Sequence, residues 1–266
     1  MKLRNTAIAA ALSLVPIGQP LLVGTGAVLT SAAVMLSVPQ RVNAESADFY
    51  FNQGVDKFEV GDFSGAISDF NKAIEINPKD FEVYSIRGIA KKNLEDYFGA
   101  ISDFSKAIEI NPKDAFAYNN RGLIKGNLGD YSGAISDYDK AIEIDPNDHL
   151  FYYNRGVIKS NLEDYSGAIS DYNRAIKINP KYADAYYNRG LAKDILEDYY
   201  GAILDYNKAI KINPNNANYF LNLGIAKSNL NDKKGACKDL KKAISLGSKS
   251  TEEWLESDNG AWCRDM

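Results

Sequence analysis

The residues able to do chemistry in this chain are few, and the charged ones recur on a fixed beat. There is one histidine, His149, and there are two cysteines, Cys237 and Cys263. Neither cysteine has metal-ligand spacing or a histidine partner, and the lone imidazole is read as a solvated residue in the first turn of a helix rather than a ligand or base. No GxxxxGK(S/T) or GxGxxG run is present to cradle phosphate. With no catalytic constellation, the chain is expected to be non-enzymatic and to need no cofactor or metal. The recurring charges are Arg87, Arg121, Arg155 and Arg189, set against Asp69, Asp103, Asp137, Asp171, Asp205 and Asp239. Such guanidinium groups could form an anion-binding ladder, or each could pair with an aspartate inside the fold; internal pairing is the expectation.

The elements that position these charges repeat with them. Glycines stand 34 residues apart at Gly54, Gly88, Gly122, Gly156, Gly190 and Gly224. Alanines keep the same step from Ala66 to Ala236 and from Ala73 to Ala243, and prolines from Pro78 to Pro214. A strict period of this length means an array of one supersecondary unit, and such arrays build extended binding surfaces. In the copy spanning 115–148, Tyr118, Gly122, Lys125 and Leu128 fall on one face of a first helix. A turn at Gly129-Asp130 follows, with Asp130 placed to cap the next helix. That second helix carries Ala134, Ile135, Tyr138, Ala141 and Ile142 at helical spacing, and Asp145-Pro146 ends it. Because glycine inside a helix costs about 1 kcal/mol relative to alanine, Gly122 is expected to admit a close backbone approach by Ala134.

These residues resemble the tetratricopeptide repeat family: an aromatic at the fourth position, glycine at the eighth, alanine at the twentieth and twenty-seventh, an aromatic at the twenty-fourth and proline at the thirty-second. The resemblance implies an all-α fold, an α-solenoid of six stacked helix-turn-helix units in a right-handed superhelix, with the first helices lining its inner wall. The repeats would occupy 47–80, 81–114, 115–148, 149–182, 183–216 and 217–250, followed by a C-terminal cap over 251–266. Two positions depart from the family pattern together, arginine at the seventh and aspartate at the twenty-third, and Gln53 and Leu223 break the arginine series at the ends.

The resemblance also implies where a partner would bind. Inner-wall positions hold asparagine at the sixth place, in Asn52, Asn120, Asn154, Asn188 and Asn222, and at the thirteenth, in Asn93, Asn127, Asn161 and Asn229. A side-chain amide both donates and accepts, so such a ladder can read an extended peptide backbone, or it can merely bond neighbouring turns and water. The fifth position varies, and Tyr153 and Tyr187, with Phe116 and Leu150 at the second, gather apolar surface in the middle of the array. Aromatic residues of this kind favour recognition, so the groove is centred near Tyr153 and Tyr187. A carboxylate clamp of the cochaperone type is not expected, since no repeat has lysine at the fifth position and the ninth is apolar throughout. The expected partner is another protein or a peptide segment.

Residues 1–44 are of another kind: Lys2 and Arg4, an acid-free apolar stretch, then Val42-Asn43-Ala44 before Glu45. This reads as an export signal; alternatively 21–38 stays in a bilayer as an anchor. The net charge is −4, and loss of Lys2, Arg4 and Arg41 would take it to −7, which leaves no footprint for nucleic acid. Export would favour a disulfide between Cys237 and Cys263, tying the tail across the last repeat, with Trp254 and Trp262 as apolar cover. The repeat style resembles exported bacterial proteins, cyanobacterial ones among them, and so implies periplasm or thylakoid lumen. Three functions stay open: an exported protein-binding scaffold, a membrane-tethered assembly factor, and an accessory subunit for cell-envelope or polysaccharide enzymes.

Overall fold

A computed structural model describes residues 46–257 and 260–264, so the expected signal or anchor over 1–44 lies outside the described residues. These residues form fourteen helices and, among the described residues, no strand. One compact segment ends at Pro112 and a second begins at Lys113. The first holds two hairpins, α1 (Ala47–Glu59) with α2 (Phe63–Ile76) and α3 (Phe81–Asn93) with α4 (Tyr97–Ile110). The second holds four: α5 (Ala115–Asn127) with α6 (Tyr131–Ile144), α7 (His149–Asn161) with α8 (Tyr165–Ile178), α9 (Ala183–Ile195) with α10 (Tyr199–Ile212), and α11 (Ala217–Asn229) with α12 (Lys233–Ser245). Two short helices, α13 (Lys249–Glu256) and α14 (Ala261–Arg264), then pack on α12. The fold is an all-α solenoid of helix hairpins with a helical C-terminal cap.

Local sequence sets each helix boundary. Asp62, Asp96, Asp130, Asp164, Asp198 and Asp232 each accept a hydrogen bond from the backbone N–H three residues on, as expected of the repeated aspartate. The turn before each of these aspartates needs a left-handed residue. Gly129 takes it at φ 84°, whereas Glu163 occupies the matching place at φ 63°.

Within a hairpin the core is alanine against aromatic rings, and Ala168, Ala175 and Tyr172 are almost fully buried. The eighth-position glycine serves this packing differently from expectation. A Cβ on Gly122 would meet Ala134 O at 3.3 Å, but the Tyr138 ring is nearer at 3.1 Å, and on Gly156 the Tyr172 ring stands at 2.7 Å. The glycine chiefly makes room for the twenty-fourth-position ring.

The recurring charges are internal pairs. Arg155 donates from Nε and Nη2 to both oxygens of Asp171, at 2.9 and 2.6 Å, and Arg87, Arg121 and Arg189 meet Asp103, Asp137 and Asp205 in the same fork. Each guanidinium also lies over a fourth-position ring, 5.8 Å from Tyr152 in the case of Arg155. The expectation missed a second cation: Lys57, Lys91, Lys125, Lys159, Lys193 and Lys227 reach the same six aspartates at 2.5 to 2.8 Å. At the ends, where Gln53 and Leu223 replace arginine, that lysine is the close partner of Asp69 and Asp239. The third arm of the arginine crosses to the preceding hairpin, where Arg87 meets Asn71 at 2.6 Å, Arg155 meets Asp139 at 2.5 Å and Arg189 meets Asn173 at 2.5 Å. In α12 the residue at that accepting position is Lys241.

Candidate binding surface

In the second segment α5, α7, α9 and α11 contact one another in order, so the first helices form one continuous wall. Hydrogen bonds cross each seam. Asn154 Nδ2 donates to Asn119 Oδ1 at 3.0 Å, Asn188 Nδ2 to the Tyr153 hydroxyl at 2.9 Å, and Asn222 Nδ2 to the Tyr187 hydroxyl at 2.8 Å. The sixth-position amide thus ties each helix to the fifth-position residue of the one before. An amide N–H is used by the fold in each case, and the amide's own carbonyl oxygen remains as an acceptor. Asn120 departs from the series: it is buried and donates to Phe116 O at 3.0 Å. Asn127 and Asn161 are exposed, Phe116 is half-buried and Leu150 is exposed.

The two central tyrosines are more embedded than free recognition residues would be. Tyr153 packs at 6.0 Å from Tyr172 and 4.9 Å from Tyr182, and Tyr187 at 5.9 Å from Tyr206 and 4.9 Å from Tyr219. Burial pushes the phenol of Tyr153 up from its ordinary value, and that of Tyr187 likewise. Alanine at either position would therefore open the core as well as the wall.

Two carboxylates of α9 escaped the sequence reading although their positions were visible. Asp184 accepts from the Tyr219 hydroxyl at 3.0 Å. Asp194 stands where α7 has Ser160, whose hydroxyl lies 3.1 Å from that of Tyr172. Asp194 Oδ1 and the Tyr206 hydroxyl are both buried without a hydrogen-bond partner. Burial raises the Asp194 carboxyl above the usual carboxylate range.

His149 is less solvated than its helix-start position suggested. Its Nε2 lies 3.1 Å from Asn179 Nδ2, and its ring meets Tyr182 edge-on at 4.9 Å. Burial lowers its pKa, with Asp148 opposing. At the C-terminal end, Cys237 and Cys263 lie at disulfide distance with Cα atoms 5.3 Å apart, and Trp254 stacks edge-on with Trp262 at 6.2 Å. Among the described residues no group of three or more His, Cys, Asp or Glu could hold a metal ion, and no helix is long and apolar enough to cross a membrane.

Family profiles described as tetratricopeptide repeat match residues 45–80, 81–114, 115–148, 137–170, 183–216 and 205–238, and one described as TPR repeat matches 161–193. Comparison with curated proteins gave no significant match. Among solved structures, the MamA protein is 28% identical with a TM-score of 0.59, over 66% of this chain and 97% of that one. YrrB, described as a TPR protein with an unusual peptide-binding site, is 22% identical with a TM-score of 0.61, over 70% of this chain and 97% of its own. PilF of Pseudomonas aeruginosa reaches a TM-score of 0.69 at 17% identity, over 79% of this chain and 96% of its own. Repeat period, hairpin geometry and profile matches agree: the chain belongs to the tetratricopeptide repeat family.

Proposed function

We propose that the protein is a non-enzymatic scaffold whose first-helix wall, centred on Tyr153, Asn154, Tyr187 and Asn188, binds an extended segment or helix of another protein. The observation that carries this reading is the seam of amide-to-hydroxyl bonds between α7, α9 and α11. It fixes the side chains in register and leaves amide oxygens and ring edges as ready contacts, so binding would need little further ordering. Scaffolding by stacked repeats is the general use of this fold. Likeness to YrrB establishes the fold; the case for binding rests on the wall itself.

Export fits the same reading. The basic, acid-free start before Val42-Asn43-Ala44 and the cysteine pair at bonding distance both suit an oxidising compartment. A retained anchor over 21–38 would make the same wall part of a tethered assembly factor.

The test is photo-crosslinking in the native cell from a benzoyl-phenylalanine placed at Leu150 on the wall or at Ser166 on the exposed face of α8. A protein adduct from position 150 and none from position 166 is the expected outcome. Equal capture from both positions, or capture from 166 alone, would overturn the wall as the binding surface.

A further inference from the structure

We infer that the wall selects a partner segment carrying a lysine or arginine, whose cationic group is received by Asp194 while its methylene stem lies along Leu191 and Tyr187. The inference rests on the wall being the binding surface and names the chemistry of its ligand.

The wall leaves two carboxylates without a cation. Every lysine and arginine of α5, α7, α9 and α11 is engaged by a twenty-third-position aspartate: Arg121 and Lys125 by Asp137, Arg155 and Lys159 by Asp171, Arg189 and Lys193 by Asp205, and Lys227 by Asp239. The acidic residues of those four helices are Asp184 and Asp194, both on α9. Neither meets a cation: Asp184 accepts from the Tyr219 hydroxyl, and Asp194 Oδ1 has no partner at all. Each aspartate that holds an arginine also holds a lysine, so the wall as a whole carries no negative surplus; its carboxylates without a cation are confined to one helix.

Its placement suits a long cationic side chain. Asp184, Tyr187, Leu191 and Asp194 follow at spacings of three, four and three, which sets them in one stripe of α9, about 15 Å from end to end. The stripe has carboxylates at both ends and an aromatic and an aliphatic residue between them. A lysine or arginine stem can cover the apolar middle while its head reaches an acid, and the tyrosine ring adds a favourable face. In the corresponding stripe of α7 the residues are Leu150, Tyr153, Val157 and Ser160, with no acid.

Asp194 also has an unmet need for donors. Its Oδ1 is out of reach of water and unbonded, and the fully buried Tyr206, whose phenol feels the Asp194 charge, has an unbonded hydroxyl as well. Burial alone acts on the Asp194 carboxyl, with no cation opposing it. Such a group is expensive to leave unpaired. In α7 the fold resolves the same juxtaposition with Ser160 and Tyr172 and has no use for an acid there. Asp194 as a whole is half-buried rather than sealed, so an ammonium or guanidinium head arriving from the wall side would pair with its carboxylate and supply both charge and N–H donors.

The experiment is selection of random displayed peptides on the full chain, followed by affinity measurement of synthetic copies against wild type, Asp194→Ser and Leu150→Ser. The serine at 194 copies Ser160, and the melting curve verifies that each variant is folded. The expected result is enrichment of lysine or arginine at a fixed place, with affinity falling roughly 10- to 100-fold in Asp194→Ser. Peptides weakened by Leu150→Ser but without a basic residue, or indifferent to Asp194→Ser, would overturn the inference and leave the wall as the binding surface. Peptides indifferent to both variants, or no enrichment, would overturn the inference and the wall together.

Discussion

Replacing Arg155 by leucine tests the ion pairs that hold the hairpins, because the protein already contains the outcome. The side chain of Asp171 is 5% exposed and receives both Nε and Nη2 of Arg155, while Lys159 holds Oδ2 at 2.8 Å. Removing one partner of a buried pair costs about 3–5 kcal/mol when the remaining charge is stranded. Here it is not stranded. Lys159 stays, as Lys227 does for Asp239 in the hairpin whose arginine position is Leu223. The loss should therefore fall to about 2–3 kcal/mol, including the bond to Asp139 that joins the preceding hairpin. Lys159→Met alone should cost somewhat less, since the bidentate fork survives. The double variant leaves Asp171 with no cation and should exceed the sum of the singles by about 1–3 kcal/mol. Denaturant titration followed by far-ultraviolet circular dichroism measures all three. A single variant within about 0.5 kcal/mol of wild type, or a double variant no worse than the sum, would refute the reasoning.

Three further outcomes are expected. Glu163→Gly relieves a left-handed residue at φ 63° and should raise stability by about 0.5–1 kcal/mol, net of the added freedom of the unfolded chain; a lower denaturation midpoint contradicts this. Bonded Cys237 and Cys263, 26 residues apart, should contribute about 3 kcal/mol, lost on reduction; thiols titrating in the untreated, unfolded protein would show that no bond exists. Burial raises the Tyr172 phenol to about 12, with Ser160 lowering it and Asp171 raising it. Since the folded state keeps this proton longer than the unfolded chain, its contribution is complete below pH ~10 and is lost as pH rises toward 12. Phenolate absorbance and melting should change together there, and Tyr172→Phe, which copies Phe70 and Phe104, should flatten that dependence.

What could be read from the chain was whatever repeats. The Asp130 series and Pro146 each solve a local problem of backbone geometry, so their recurrence identified turns and helix ends directly, whereas Gly122 marked a close approach whose nearest partner, the Tyr138 ring, differs from the backbone contact expected. The pairing of Arg155 with Asp171 was equally legible, because two opposite charges that depart together in every middle repeat require each other. Lys159 was missed although it recurs without exception, since a lysine on a helix is ordinarily read as solvated surface. The wall was harder. Asn188 and Tyr153 belong to different hairpins, and only stacking reveals that one donates to the other. Asp194 was overlooked for the opposite reason: it is a singular residue at a position where neighbouring hairpins have serine or glycine, and its significance lies in the absence of a partner.

The arm by which Arg87, Arg155 and Arg189 each reach back one hairpin has a consequence for how the chain can lengthen. A copy of 149–182 inserted among its neighbours would bring both its own reaching arginine and, in Asn173, an acceptor for the next. Duplication of that repeat inside the array preserves every such link. A hairpin appended after the last one would find Lys241 where its arginine seeks an oxygen, and two cations would face each other. Growth by recombination is thus favoured in the interior over the place after α12, where α13 and α14 pack.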